Sequence, residues 1–500
     1  MSIRCTAAIY KSHSVALQRL EERKDIYLAL GSCKGRRMFS TVELPLWLLV
    51  LILLFAAISA LERVIGPSVR WFFRKRAQRV VAKLNERLER PIEPFKLARR
   101  FDMIQRLKYD PEVAQAIVEH ARAEDIPENV AFEMAEKYAR EIVPSFSATA
   151  YFGFGTRAAK WLSKLLYRVR LGSYDEEAIS AIDPDATVVF VMNHRSNMDY
   201  VLVTWLAAER SALSYAVGEW ARIWPLSPLI RSMGAFFIRR KSRNALYRKV
   251  LSRYVQMATA GGVTQAVFPE GGLSLDGTVQ PPKLGFLNYI VTGHEPEGRD
   301  VVFVPVALNY DRVLEDRVLI AAGEAGERKF RASIPTAIGF VFRQFWKWVR
   351  GQFYRFGYAA VSFGRPMSLA AFSKDIKGDA TEAVGNELRA RIKEVVPILQ
   401  VPLVASILRE AEGPMSRAEI ETRAAKRLAH LTAKGAHVHL PRDDLAYGIE
   451  TGLRMLTLRR IVQKGPAGYA VVEDQRQILS YYANTIEHLL TEDAAAPVAT

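Results

Sequence analysis

The chain has 500 residues, 50% of them hydrophobic, with 23 prolines, 30 glycines and only two cysteines. This composition excludes a disordered chain, and because Cys5 and Cys33 both precede the first long apolar run, it excludes a disulfide framework or a Cys-based metal site for the main fold. The formal net charge of +17 suits nucleic acid, an anionic membrane surface or phosphorylated substrates, and does not choose among them.

Residues 1–43 form an N-terminal extension of weak periodicity and mixed charge, with no catalytic signal. From Leu44 to Leu61 the chain runs without a charge for about 18 residues, which predicts one transmembrane helix over 44–62. Arg63, Arg70, Arg74, Lys75, Arg76, Arg79 and Lys83 follow it, against Lys24, Lys34, Arg36 and Arg37 before it. The positive-inside rule then predicts a single-pass protein of the cell membrane, the inner one in a bacterium, with its C-terminal bulk in the cytoplasm. Met38, just ahead of the span, is an alternative start that N-terminal sequencing of the native protein would decide.

Residues 63–182 read as a basic juxtamembrane segment and a helical region, in which Asp110-Pro111-Glu112 predicts a helix N-cap with proline in the first turn. Ala158 to Leu171 predicts an amphipathic basic helix that either lies on a membrane surface or packs on the next domain. Over 183–375 the texture changes to short apolar runs between helical stretches. Val188–Met192, Ser214–Val217, Ala235–Ile238, Val263–Phe268, Val301–Leu308 and a final run at Val361–Phe363 predict strands, with a helix at Ala245–Ala260. The fold class is therefore α/β: a largely parallel or mixed sheet flanked by helices. Residues 376–500 read as a helical C-terminal domain punctuated at Gly413-Pro414 and Gly465-Pro466.

The first apolar run of this domain ends in Asn193-His194-Arg195-Ser196-Asn197-Met198-Asp199 before helical periodicity resumes. Ligands bind at the carboxyl ends of strands in such sheets, so His194 and Asp199 have the position of a catalytic dyad. Three more polar clusters fall at strand ends: Gly234 to Arg240, Phe268-Pro269-Glu270-Gly271-Gly272, and Val304-Pro305-Val306-Ala307-Leu308-Asn309-Tyr310.

These four blocks, in this order, resemble the glycerolipid acyltransferases, and specifically the glycerol-3-phosphate 1-O-acyltransferases and their dihydroxyacetone-phosphate relatives. Ser480-Tyr481-Tyr482-Ala483-Asn484-Thr485-Ile486-Glu487-His488-Leu489 is similar to the segment that closes those enzymes, so the resemblance covers most of residues 90–490. It implies the glycerolipid acyltransferase fold and transfer of a fatty acyl group from acyl-CoA or acyl carrier protein to the sn-1 hydroxyl of glycerol-3-phosphate. Dihydroxyacetone phosphate and 1-acylglycerol-3-phosphate are the alternative acceptors. The donor thioester is a co-substrate, and no cofactor or metal is expected.

Each block then has a chemical task. A neutral histidine suits removal of a hydroxyl proton near pH 7, which makes His194 the base. Asp199 would fix its tautomer and stabilise the imidazolium. A five-residue offset on a regular helix rotates by about 140°, so His194 must precede the helix. The acceptor's phosphate calls for arginine. Strand alternation sends Arg239 and Arg240 to opposite faces, and the resemblance favours Arg239, with Arg240 and Lys283 assisting and Arg195 as a further substrate contact. Glu270 could accept hydrogen bonds from the acceptor's hydroxyls, beside Gly271, which lets backbone approach a ligand. Leu273 departs from the arginine many members carry after this block. Pro305 suggests an edge or a bulge in its strand, and the resemblance puts that strand on the acyl-donor side. The aromatic and basic run Phe340–Phe356 suits either an interfacial patch on anionic lipid or a buried helix.

Other classes fit less well. Arginines are not interleaved with aromatics along a nucleic-acid motif, so no nucleic-acid partner is expected, and no Gly-x-Ser-x-Gly elbow lies near these blocks. The eight histidines are scattered. A membrane-tethered, non-catalytic lipid-binding protein is the competing class.

Overall fold

The computed structural model describes residues 45–491 apart from 209–210, 219–225, 240–241, 327–345, 347–348, 351–354 and 375. The expectations for residues 1–43, Met38, Arg240 and most of Phe340–Phe356 lie outside the described residues.

The chain divides into two compact units, 1–76 and 77–500. Helix α1 (Leu46–Asn85) begins in the first, and the boundary expected at residue 62 falls inside it. Leu46, Trp47, Leu53 and Phe55 on this helix are exposed. Part of the predicted span carries side chains outside the described set, and among the described residues no helix is long and apolar enough to cross a membrane.

In the second unit the helical region supplies α2 (Arg100–Lys108), α3 (Pro111–Ala123) and α4 (Glu128–Ile142). The Asp110 side chain accepts from the N–H groups of Glu112 and Val113, with Pro111 in the first turn of α3, so the predicted cap is present. Helix α5 (Thr156–Leu166) is shorter than expected. The chain turns extended at Tyr167, and Arg168–Leu171 form strand β1, paired in parallel with a strand almost 200 residues later. Hydrogen bonding to that distant partner overrides the helical periodicity that continues to Leu171.

The following elements are β2 (Thr187–Met192), α6 (Met198–Leu206), β3 (Ser214–Val217), β4 (Phe236–Phe237), α7 (Ala245–Ala260), β5 (Gln265–Val267) and α8 (Leu284–Thr292). After them come β6 (Val301–Tyr310), α9 (Asp316–Glu324), β7 (Tyr358–Phe363), β8 (Met367–Ser368), α10 (Ala380–Glu394), α11 (Gln400–Arg409), α12 (Arg417–Ala433) and α13 (Leu445–Leu458). The chain ends on a hairpin, β9 (Val462–Gly465) with β10 (Gly468–Val471), and helix α14 (Arg476–Thr491). The C-terminal region is thus not wholly helical: Gly465-Pro466, read as punctuation, opens the two-residue turn of that hairpin.

One mixed sheet organises this unit, in the order β1-β7-β6-β2-β5-β3-β4, with β8 beside β6. Strands β2 to β6 run parallel to their neighbours among themselves, while β7 and β8 run antiparallel to β6. β2 and β6 are buried along their whole length, which is why they read as unbroken apolar runs. Their alternate residues feed two cores. Val188, Phe190 and Met192 join the C-terminal helices and α6, whereas Val189 and Val191 join α3, α4 and α7. Each such side chain contributes about 1.5–3 kcal/mol on burial.

Pro305 does not lie on an edge. It pairs with Val191 in the interior of the sheet. Its carbonyl accepts from Gly364 N–H, just where pairing with β7 has ended and pairing with β8 has not begun. A residue's N–H and C=O point to the same side of a strand, so the donor that proline lacks falls at this junction and no ladder bond is lost.

Candidate active site

The site is built at the carboxyl end of β2. Asn193 continues the strand by proxy, its side chain donating to Leu308 O (3.0 Å) and accepting from Leu308 N (2.8 Å). The chain then turns through His194-Arg195-Ser196, and α6 begins at Met198, so His194 precedes the first helical turn and Asp199 lies inside it. Asp199 Oδ2 is 2.9 Å from His194 Nδ1 and accepts from the backbone N–H of Arg195 (2.7 Å) and Ser196 (3.0 Å). Its Oδ1 accepts from the Tyr310 hydroxyl at 2.5 Å. With Nδ1–H donating to Asp199, the imidazole lone pair sits on Nε2, the tautomer a general base requires. The ring of His194 stacks on Phe268 (4.1 Å between centroids) and meets the edge of Tyr200 (5.5 Å). Both Asp199 and His194 are buried.

The loop after β5 is stitched onto this turn. Glu270 Oε1 accepts from His194 N–H (3.3 Å), and Ser274 N–H donates to His194 O (2.9 Å). Burial pushes the Glu270 carboxyl up to about 8, against the pull of Arg195 and of the His194 and Gln280 N–H groups. Gly271 has φ +65°, a conformation that favours glycine, and lies against the Lys283 side chain, whose Cδ a Cβ would approach within 2.7 Å. Lys283 immediately precedes α8, and its N–H donates to Pro269 O (2.7 Å). Leu273 packs against the C-terminal core.

The arginines separate. Arg195 is buried, its Nη1 donating to the carbonyls of Gly277 and Thr278 (3.2 Å to the latter). Arg239, favoured from the sequence as the phosphate contact, is gripped by Glu141 of α4: Nε donates to Oε1 (2.8 Å) and Nη2 to Oε2 (2.6 Å). Its guanidinium also lies over the rings of Tyr138 and Tyr247. The structure therefore brings His194, Arg195, Asp199, Glu270, Gly271 and Lys283 into one connected constellation, whereas the hydrogen bonds of Arg239 lead to the N-terminal helical region.

Three residues of this constellation were given no role from the sequence. Tyr310 reaches Asp199 because β6 runs past the end of β2 alongside the turn; its place at a strand's carboxyl end was the available signal. Glu315 binds Ser196 Oγ (2.8 Å) and Asn197 Nδ2 (3.0 Å), holding the far side of the turn. Tyr481 arrives from α14. This helix is clamped to α9 and to the loop after β5 through Tyr482, which donates to Asp316 (2.5 Å), and Asn484, which donates to Asp276 O (2.9 Å). A cleft of about 410 Å³ between α9, α14 and the loop after β5 is lined by Leu275, Asp276, Gln280, Ile320, Ser480 and Tyr481 among others. Among the described residues no group of three His, Cys, Asp or Glu is placed to hold a metal ion.

Residues 173–309 match the Acyltransferase family, and residues 342–500 match the glycerol-3-phosphate acyltransferase C-terminal region. A glycerol-3-phosphate acyltransferase of Shewanella loihica is 28% identical over 426 residues, covering 79% of this chain and 51% of the relative. One of Pseudomonas entomophila is 28% identical over 444 residues, covering 83% and 51%. The chain thus spans about half the length of the curated relatives it matches. A crystal structure of the 1-acyl-sn-glycerophosphate (LPA) acyltransferase of Thermotoga maritima aligns at 20% identity and a TM-score of 0.31, covering 52% of this chain and 82% of that one. Two consecutive family models thus match this chain, one over the His194 turn and the other over the helices packed behind it.

Proposed function

We propose that the protein transfers a fatty acyl group from a thioester, acyl-CoA or acyl carrier protein, to the sn-1 hydroxyl of glycerol-3-phosphate. The observation that carries this reading is the buried His194–Asp199 pair at the end of β2, with Nδ1 committed to the carboxylate. In this reading the acceptor's hydroxyl gives its proton to His194 Nε2 as its oxygen attacks the thioester carbonyl. The tetrahedral intermediate then collapses, the C–S bond breaks, and the imidazolium returns the proton to the departing thiolate sulfur. Asp199, itself held by Tyr310 and two backbone N–H groups, orients the imidazole and stabilises its charged form. Glu270, Gly271, Lys283 and the arginines 195, 239 and 240 would receive the acceptor. Pro305 lies beneath the strand end toward the acyl donor. Such a product partitions into a bilayer, which fits an anchor over residues 44–62, anionic lipid as a partner and a catalytic unit on the cytoplasmic face of the cell membrane.

The test is acyl transfer by the purified full chain from acyl-CoA and from acyl carrier protein to glycerol-3-phosphate, dihydroxyacetone phosphate and 1-acylglycerol-3-phosphate. Activity is expected with glycerol-3-phosphate first, and His194→Ala should reduce kcat by about 10³-fold or more. Full activity in that variant ends the mechanism; absence of transfer by the wild type leaves the lipid-binding alternative.

A further inference from the structure

Helix α5 and the π-helical turn that leads into it (Thr149–Gly155) have two unlike faces. The inner face is fixed to the domain. Ala159, Ser163 and Leu166 are buried, Leu166 shares a core with Leu202 and Val203 of α6, and the Tyr151 hydroxyl accepts from Leu213 N–H (3.0 Å). The outer face carries Phe154 and Trp161, 59% and 66% exposed and about two turns apart. Arg157, Lys160 and Lys164 stand exposed among them. The ammonium groups of Lys160 and Lys164 lie over the ring of Trp205, 5.9 and 5.6 Å from its centroid. Packing on the neighbouring helix, one of the two roles expected for this segment, therefore uses one face only.

Exposed aromatic side chains are ordinary when scattered singly. Phe101 and Tyr109 are just as exposed, but they adjoin α2 and α3, which carry Asp102, Glu112 and Glu119 among their bases. The face of α5 differs in charge. From Val143 to Tyr174 the chain has five Arg and Lys residues and no Asp or Glu. Among the described residues, no carboxylate pairs with Arg157, Lys160 or Lys164. Cations that the protein does not neutralise, set around two aromatic rings on a rigid helix, complement a surface that is anionic outside and apolar just beneath. Lipid phosphates take the charges, the long basic side chains reach up to them, and aromatic rings settle at headgroup level.

We propose that the face formed by Phe154, Arg157, Lys160, Trp161 and Lys164 rests on an anionic lipid bilayer. This contact belongs to the second compact unit itself and is additional to the span expected over residues 44–62. It does not rest on the acyl-transfer reading, and its test reads no activity.

The full chain, carrying Cys5→Ser and Cys33→Ser, receives one new cysteine, Phe154→Cys or Tyr109→Cys, for an environment-sensitive fluorophore. Each labelled protein is reconstituted into vesicles of phosphatidylcholine, with or without about a quarter of phosphatidylglycerol. In the anionic vesicles the label at 154 should emit at shorter wavelength, and a nitroxide held at headgroup level should quench it at least about twofold more than the label at 109. Adding Arg157→Glu and Lys160→Glu should return the quenching at 154 to its level in neutral vesicles. Both residues are exposed, so the melting temperature should hold. Equal quenching of the two labels overturns the proposal, since the span alone would then explain it. Quenching at 154 that ignores both phosphatidylglycerol and the charge reversal overturns it as well. A label that responds to rising protein concentration in detergent, and not to the lipid quencher, gives the face to a second copy of the chain. One that responds only to added acyl carrier protein gives it to an acidic protein.

Discussion

Two buried aspartates lie at the same end of the sheet, and they do different things. Asp199 binds His194, Tyr310 and two backbone N–H groups in the turn after β2. Asp311, the residue after β6, accepts from the N–H of Tyr358 (2.7 Å) and Val401 (3.1 Å) and from the Gln400 side chain. Gly357 packs against it with φ +88°, where a Cβ would come within 2.6 Å of its carboxylate. Both carboxyls are well bonded, so hydrogen bonding alone does not mark a catalytic group. What differs is the company. The donors to Asp311 are amides that join strand β7 and helix α11 to the sheet, whereas Asp199 binds an imidazole in the turn at the carboxyl end of β2. One aspartate joins elements of the sheet; the other holds the imidazole proposed as the base.

The largest effect expected from this contrast is on kcat. Asp199→Asn should lower it on the order of 10³–10⁴-fold, since the amide favours the wrong imidazole tautomer, while Asp311→Asn should leave kcat per folded molecule within about twofold. Asp311→Ala should instead destabilise the fold by about 3 kcal/mol, because it strips the acceptor from buried N–H groups. Denaturant melts of both variants beside steady-state kinetics check the pair. A kinetic defect in Asp311→Asn at unchanged stability would erase the distinction.

Tyr310→Phe is an intermediate case, since Tyr310 belongs to β6 yet serves Asp199. Loss of one hydrogen bond to the carboxylate should lower kcat about tenfold, or about 1.4 kcal/mol, without matching loss of stability. An unchanged kcat in that variant would show that the remaining donors orient Asp199 by themselves.

How much of this was legible beforehand follows from how local each signal is. The dyad was readable because the strand, the turn and the helix that place it are consecutive, and the five-residue offset already required His194 ahead of the helix. β2 and β6 were readable because both of their faces are buried. β1 was not, since Arg168-Val169-Arg170-Leu171 becomes a strand only by pairing with Tyr358–Val361. Arg239 shows the same limit from the other side. Its motif suggests a ligand contact, and nothing local signals its partner in the structure, Glu141, about a hundred residues upstream on α4. Tyr481 stood in the closing segment quoted for the resemblance, but nothing local placed it, because only the packing of α14 against the loop after β5 brings its backbone onto Gly277.

The smallest effect sets Asp311 beside Glu270, the two carboxyls that burial raises most clearly. Asp311 goes up to about 7 and Glu270 to about 8, in each case chiefly through desolvation of the charged form. Because the folded-state value exceeds the unfolded one, the folded protein holds these protons longer. Each group therefore contributes stability that is fully present below its unfolded carboxyl value and is lost as pH rises through its folded value. The melting temperature of the wild type should accordingly fall between about pH 5 and pH 8. Asp311→Asn should remove the part of that fall ending near pH 7, and Glu270→Gln the part extending to about pH 8. The difference between Glu270→Gln and wild type should thus keep growing between pH 7 and 8, after that of Asp311→Asn has levelled, by a few degrees at most. Two difference curves that level at the same pH would mean that the two carboxyls are buried alike.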